Sequence, residues 1–257
     1  MRVEHPNLPA EPPVRLALYL RGAAFDRYNG RSWSRTTPSA QLRSEQIGNS
    51  VRIRRWPDPV RDRKLRIDLE PIDPSVVFLP PDAVALSILT PNNVVPSSIP
   101  TLYVTQEGQL SYRASNEGGL RYEVALADGT EGPLQPLDGA TRARYLALPG
   151  DLPPRVGELA KTWIGTETDP EKRAKRIEAA LRKGYRYDLE SPSGGAKNPL
   201  DHFLFVSKRG HCEFYSTAMA VMLRTQGVPT RNVNGFIGGT FNRFGRYYAV
   251  RQGDAHS

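Results

Sequence analysis

The chain has 257 residues, 39% of them hydrophobic, and a formal charge of +8 from 35 Lys+Arg against 27 Asp+Glu. This length suffices for two modest domains or one large one, and 22 glycines with 23 prolines favour many turns and short strands over long helices. The arginines are scattered among acids with no basic run, which argues against nucleic acid as a partner, and no apolar stretch reaches the roughly 18 residues that a membrane-spanning helix needs.

From residue 1 to about 135 the chain reads as β-rich. Lys64-Leu65-Arg66-Ile67-Asp68-Leu69-Glu70 and Leu120-Arg121-Tyr122-Glu123-Val124-Ala125-Leu126 alternate apolar and polar residues, the period of a strand with one buried face. Val14 to Leu20, Val51 to Trp56, Val76 to Leu79, Ala83 to Leu89, Leu102 to Thr105 and Leu110 to Arg113 predict further strands. Turn signals separate them at Tyr28-Asn29-Gly30, Pro80-Pro81-Asp82, Pro91-Asn92-Asn93 and Glu117-Gly118-Gly119. Many short strands at this spacing predict a sandwich or an open barrel. The character changes around Glu131-Gly132-Pro133-Leu134-Gln135-Pro136, where the domain boundary is placed, giving domains 1–135 and 136–257. The fold class expected is therefore α+β.

Helix signals dominate the second part. Asp151-Leu152-Pro153-Pro154 opens one helix, with proline tolerated in the first turn because its missing N–H has no helical partner there. Asp169-Pro170-Glu171 opens another, with a stripe of Ala174, Ile177, Ala180 and Leu181 and an end at Gly184. Tyr185 to Leu189 is extended, Ser191-Pro192-Ser193-Gly194-Gly195 is a loop, and Asp201 to Val206 forms a short apolar turn. A stripe of Cys212, Tyr215, Ala218, Met219, Met222 and Leu223 at spacings of three and four then predicts a helix starting at Cys212. Gly227 with Val228-Pro229 stops it. Arg231 to Phe236 and Arg246 to Arg251 read as two strands joined by a loop, and His256 stands at the start of a third.

Cys212 is the single cysteine, so the chain can form no internal disulfide and no multi-cysteine zinc site. A lone cysteine is commonly a small buried hydrophobe. Three features point instead to a nucleophile. A helix N-terminus offers unpaired N–H groups and the positive end of the helix dipole, which stabilise a thiolate. His256 is placed to come from a neighbouring strand as a general base. Gly210 permits a close backbone approach that leaves the Cys212 N–H free for a developing oxyanion. His211 is a rival base, but adjacent residues at a helix start point in different directions. His202 and His5 read as surface residues. His202, His211 and Cys212 match no zinc spacing, so no metal site is expected.

Gly210-His211-Cys212-Glu213-Phe214-Tyr215-Ser216-Thr217-Ala218-Met219, followed by Arg224-Thr225-Gln226-Gly227-Val228-Pro229-Thr230-Arg231, resembles the core of the transglutaminase-like superfamily. Asp254-Ala255-His256-Ser257, Asp201-His202-Phe203-Leu204-Phe205 and Tyr185-Arg186-Tyr187 are also similar to it. In the β-rich part, Leu20-Arg21-Gly22 and Phe25-Asp26-Arg27-Tyr28-Asn29-Gly30-Arg31-Ser32-Trp33 resemble the extracytoplasmic region of bacterial membrane-anchored transglutaminases of the TgpA type. The resemblance implies a papain-like core over 136–257, no cofactor, Cys212 as nucleophile, His256 as general base and the Cys212 backbone N–H as oxyanion donor. It implies protein or peptide substrates offering glutamine and lysine side chains, no nucleic acid, and an extracytoplasmic site in a membrane-anchored parent protein. The family's orienting aspartate follows the histidine on the next strand, so the core is expected to be cut before its last strands, and a fragment lacking that residue is expected to be weak or inactive. Asp254, two residues before His256, is not assigned that role.

Three readings share these residues. One is acyl transfer through a thioester, which ends in a cross-link with an amine or in hydrolysis by water. Another is a thiol protease or peptide amidase on the same fold. The third is a non-catalytic extracytoplasmic binding module. With Met1-Arg2-Val3-Glu4-His5-Pro6 showing no signal peptide, the chain itself reads as either a cytosolic protein or a soluble piece of a longer one.

Overall fold

The computed structural model describes residues 1–6, 8–36, 42, 43, 45–73, 75–89, 100–105, 109–113, 119–127 and 136–257. The turn expected at Pro91-Asn92-Asn93, most of that at Glu117-Gly118-Gly119 and the boundary at 131–135 lie outside the described residues. The chain forms two compact units, one of residues 1–23, 38–134 and 234–256, the other of 24–37, 135–233 and Ser257.

The first unit is built on an eight-stranded antiparallel sheet. Its strands lie in the order Thr240–Asn242, Tyr247–Ala249, Arg2–Glu4, Arg63–Leu69, Leu120–Leu126, Ala83–Ile88, Ser50–Arg52 and Gln46–Ile47. The alternation in the two longest strands sets their faces. Leu65, Ile67 and Leu69 are buried, as are Leu120, Tyr122 and Val124 across from them. On the opposite face Lys64 and Arg66 both pair with Glu123. A second small sheet of Leu110–Arg113, Thr101–Val104 and Leu42–Arg43 contributes Leu102, Leu110 and Tyr112 to the same core, so apolar faces of two sheets share one interior, as in a sandwich.

Some elements differ from expectation. Val14 to Leu20 predicts a strand, yet the strand runs over Tyr19–Phe25. Residues 14–18 make only scattered backbone bonds, such as Leu16 N–H to Gly239 C=O at 3.0 Å. Val76 to Leu79 is buried but forms isolated bridges to Ser111 and Arg21 rather than a strand. The strand over Tyr247–Ala249 pairs with Thr240–Asn242, which the sequence reading passes over, while Asn232–Ile237 belongs to a separate sheet with Tyr19–Phe25 and Ala255–His256. Gly235 makes that sheet possible: a Cβ there would lie 1.9 Å from the Leu20 carbonyl oxygen.

Among the described residues the second unit carries five α-helices: α1 Gly139–Leu146, α2 Pro154–Ile164, α3 Pro170–Gly184, α4 Pro199–His202 and α5 Cys212–Thr225. α1 is absent from the sequence reading. It is capped by Asp138, whose carboxylate accepts from the Thr141 N–H, and it buries only Tyr145, so it has no apolar stripe to betray it. α2 begins after Pro153 as the prolines require, and α3 is capped by Asp169 accepting from the Lys172 N–H. α5 is the centre of this unit. Ala218, Val221, Met222 and Leu223 pack with Val156, Ala160, Ile164, Ile177 and Leu181 of α2 and α3. The helix ends at Gly227, with φ +76°, where the Gly227 N–H reaches the Arg224 carbonyl and the Val228 N–H reaches that of Leu223.

Candidate active site

Cys212 is the first residue of α5 and is partly exposed. The segment before it fixes where that helix starts. After α4, residues Phe203–Ser207 form a π-turn, closed by Lys208 in the left-handed conformation at φ +49° with its N–H on the Phe203 carbonyl at 3.1 Å. Such turns are uncommon and store strain. Arg209–Gly210 then pairs parallel with Arg186–Tyr187, with Tyr187 opposite Gly210. Arg186 N–H donates to Lys208 C=O at 2.8 Å and Asp188 N–H to Gly210 C=O at 2.9 Å. The Arg209 guanidinium clasps the Asp188 carboxylate, with Nε at 2.8 Å, and holds that carboxyl below the usual carboxylate range.

Gly210 suits the tight space there. A Cβ would lie 3.0 Å from the Phe214 Cβ, inside the first turn of α5. Phe203 sits among Tyr185, Phe214 and Tyr215, with ring centroids 5.1, 5.5 and 5.3 Å away. This aromatic cluster pins the start of α5 against the π-turn and the extended segment. The Tyr185 hydroxyl donates to the Leu204 carbonyl at 2.8 Å, and burial, with the Tyr215 phenol second, pushes its pKa up to about 12.

The residues around Cys212 differ in role from the sequence reading in several places. His211 is the N-cap position but makes no side-chain cap, and its ring stands edge-on to Phe214 at 5.1 Å. His202 is not a surface residue: it is half-buried, and its Nδ1 lies 3.1 Å from the Oγ of the fully buried Ser193, which also bonds the Ser207 hydroxyl at 2.8 Å. His5 is half-buried as well. Among the described residues no group of three His, Cys, Asp or Glu is placed to hold a metal ion.

The sequence reading passes over the Tyr187 side chain. Its phenol lies beside Cys212. Partial burial, then the neighbouring Cys212 thiol, push this phenol above its usual range. The sequence motif Tyr185-Arg186-Tyr187 marked the segment but not the side chain's target.

On the next turn of α5, the Asn232 Nδ2 donates to Ser216 Oγ at 3.2 Å, and Ser216 shares a hydrogen bond of 3.1 Å with the Ser257 hydroxyl. The Asn232 Oδ1 is buried with no protein partner. His256 belongs to the first unit, on the short strand Ala255–His256, where it is exposed and stands opposite Gly235. Asp254 ends a 3₁₀ turn, and its carboxylate accepts from the Arg251 N–H at 2.9 Å, so it is occupied with its own backbone.

Deeper in the second unit Arg224 is buried at 3% exposure. It donates to the carbonyls of Ala147, Asp26 and Thr230 at 2.7, 2.8 and 2.6 Å and lies over the Trp33 ring at 5.0 Å. Trp33 Nε1 donates to Thr217 Oγ1 at 2.9 Å. The Tyr28-Asn29-Gly30 turn closes the hairpin that presents Trp33: Gly30 has φ +97°, and Asn29 Oδ1 accepts from the N–H groups of Arg31 and Ser32.

Two family models match the chain, the transglutaminase-like superfamily core over residues 157–257 and the TgpA N-terminal domain over residues 1–133. A protein-glutamine gamma-glutamyltransferase of Pseudomonas aeruginosa is 30% identical over 250 residues, covering 95% of this chain and 33% of that protein. The uncharacterized protein YebA of Bacillus subtilis is 34% identical over 121 residues, 44% of this chain and 16% of that protein. The chain thus spans about a third or less of the length of these relatives. Among solved structures, the periplasmic domain of TgpA from Pseudomonas aeruginosa matches with a TM-score of 0.71, and the same domain bound to ethylmercury with 0.68. Both are 25% identical and cover 99% of this chain, which in turn covers 80% and 82% of theirs. Among the described residues no helix is long and apolar enough to cross a membrane.

Proposed function

Because the chain belongs to the TgpA type of the transglutaminase-like superfamily, we propose that it carries a cysteine-dependent acyl-transfer site of the protein-glutamine gamma-glutamyltransferase kind. Cys212 is the nucleophile, His256 the general base, and the Cys212 backbone N–H an oxyanion donor. The observation that carries this reading is the placement of a partly exposed thiol on the first residue of α5, where N–H groups without helical partners and the dipole favour an anion. The thiolate attacks the carboxamide carbon of a glutamine side chain, forming the C–S bond as the carbonyl pair moves onto oxygen. The tetrahedral adduct collapses, the C–N bond breaks, and ammonia leaves with a proton from His256. A lysine amine then takes the acyl group as a cross-link, or water takes it as deamidation.

Residues 136–257 supply this chemistry in the proposal, and residues 1–135 form the accompanying β-rich domain. The parent protein is membrane-anchored with this part outside the cytoplasm, and its substrates are proteins or peptides. That location is supported by the likeness to a periplasmic domain. A membrane-impermeant maleimide that labels Cys212 of the parent protein in intact cells supports this placement, and protection until lysis refutes it.

The activity is tested by incubating the protein with a glutamine-rich protein and a fluorescent primary amine. Amine incorporation that vanishes in Cys212→Ala is the expected result. Release of peptide fragments without amine incorporation favours the thiol protease or amidase. Full activity in Cys212→Ala overturns the reading.

A further inference from the structure

We propose that Ser216 is a positioning residue for the general base, holding the His256 segment to the nucleophile's helix through Ser257; the inference rests on the acyl-transfer reading above. Cys212 and Ser216 are four residues apart in α5, so thiol and hydroxyl stand on one face of the helix, a turn apart. Ser257 follows His256 in the chain, and its hydroxyl lies 3.1 Å from that of Ser216. The helix that carries the nucleophile is thus bonded to the residue next to the base. The strand that carries His256 is two residues long, with Ala255 opposite Phe236 and His256 opposite Gly235. Two ladder positions fix the direction of this segment, and the hydrogen bond beyond the strand fixes its end.

The bonds around Ser216 are set for this use. A serine hydroxyl has one proton to give and two lone pairs to accept with. The Ser216 hydroxyl donates to the Glu213 carbonyl at 3.3 Å, and its oxygen accepts from Asn232 Nδ2 at 3.2 Å. One lone pair is left, and the Ser257 hydroxyl donates to it. Asn232 opens the strand Asn232–Ile237, whose Gly235 stands opposite His256, so one strand supplies both the partner of the base and the donor to Ser216. Asn232 is 4% exposed, and its Oδ1 is buried with no protein partner. A carboxamide buried with its oxygen unpaired is costly, and an apolar side chain would avoid the cost. Departures of this kind gather at functional sites, and the use of this amide is the bond it gives Ser216.

The test follows the thiol through its alkylation by iodoacetamide, read as the ratio of the rate at about pH 6.5 to that at about pH 9.5. A base held beside the thiol raises this ratio, because it increases the share of thiolate at the lower pH. His256→Ala sets the value without the base. Ser216→Ala and Ser257→Ala remove the same hydrogen bond from its two ends, and Ser257→Ala leaves the Asn232 bond to Ser216 in place. Each is expected to lower the ratio about 10-fold, toward that of His256→Ala, because misplacing a reacting group by an ångström is costly. Adding Ser216→Ala to His256→Ala is expected to lower it no further, whereas a merely structural role lowers it in both backgrounds. A ratio within about two-fold of wild type in either serine variant, or a further fall in the double variant, overturns the inference. A His256→Ala ratio equal to that of wild type overturns the assignment of His256 as base, and with it the reading on which the inference rests.

Discussion

Replacing Arg224 by methionine tests whether the second unit is organised around a buried cation rather than around its apolar contacts. The guanidinium makes four bonds: Nη1 to the Ala147 carbonyl, Nη2 to the Asp26 and Thr230 carbonyls, and Nε to Thr230 Oγ1 at 3.2 Å. These partners come from the Trp33 hairpin, the end of α1 and the segment after α5. Methionine keeps much of the length and burial but offers no donor. Three carbonyls lose a charged donor, and each buried group left unpaired costs about 1–3 kcal/mol. Apolar burial and a lighter desolvation burden return part of that, so about 3–5 kcal/mol is the expected net loss. At about 2–4 °C per kcal/mol for a protein of this size, the thermal transition falls by about 6–20 °C. Arg224→Lys keeps the charge but not the planar fork, and one ammonium cannot reach all three carbonyls, so its loss is intermediate. The assay is thermal unfolding followed by circular dichroism, wild type beside both variants. A methionine variant that melts within 2 °C of wild type refutes the reasoning.

Three further outcomes follow from the same geometry. Trp33→Phe removes the bond to Thr217 Oγ1 at 2.9 Å and weakens the cation–π contact, for a loss of about 1–2 kcal/mol; in a double-mutant cycle with Arg224→Met the double variant loses less than the sum of the two single losses, because the two side chains stack. Gly210→Ala places a Cβ 3.0 Å from Phe214, costs about 1–3 kcal/mol as overpacking, and slows alkylation of Cys212 by displacing the start of α5; unchanged alkylation with unchanged stability counts against the close approach. Asp62 is held below its usual range chiefly by its hydrogen bond from Arg55, so its folded pKa is below the unfolded value of about 3.9. Its contribution is complete above about pH 4 and is lost as pH falls through the folded value; the stability gap between wild type and Asp62→Asn, measured by urea titration, therefore closes in acid and stays open at pH 7.

The residues that were legible are those whose information is local. Leu65, Ile67 and Leu69 declare a strand by alternation, and Asp169 with Pro170 declares the start of α3, because cap, proline and stripe lie within a few positions of one another. Cys212 was legible as a helix start for the same reason. α1 was not, since Asp138 was its only strong signal and one buried residue makes no stripe. Tyr187 was legible only as part of a motif: its place beside Cys212 depends on a two-residue parallel pairing with Arg209–Gly210, next to the left-handed Lys208 and the Asp188–Arg209 pair, and not on any pattern around Tyr187. Arg224 shows the same limit from the other side. It stood in the motif that carried the family resemblance, yet its partners Asp26 and Ala147 are 198 and 77 positions away, so its sequence context gave a family and not a reason. A buried arginine bonded to carbonyls is costly to keep without all of them, and it links the Trp33 hairpin, α1 and the end of the nucleophile's helix. Loss of Arg224 should therefore be felt at Cys212 as well as in the melting transition, with alkylation of the thiol becoming less uniform at temperatures where the wild type still reacts as one species.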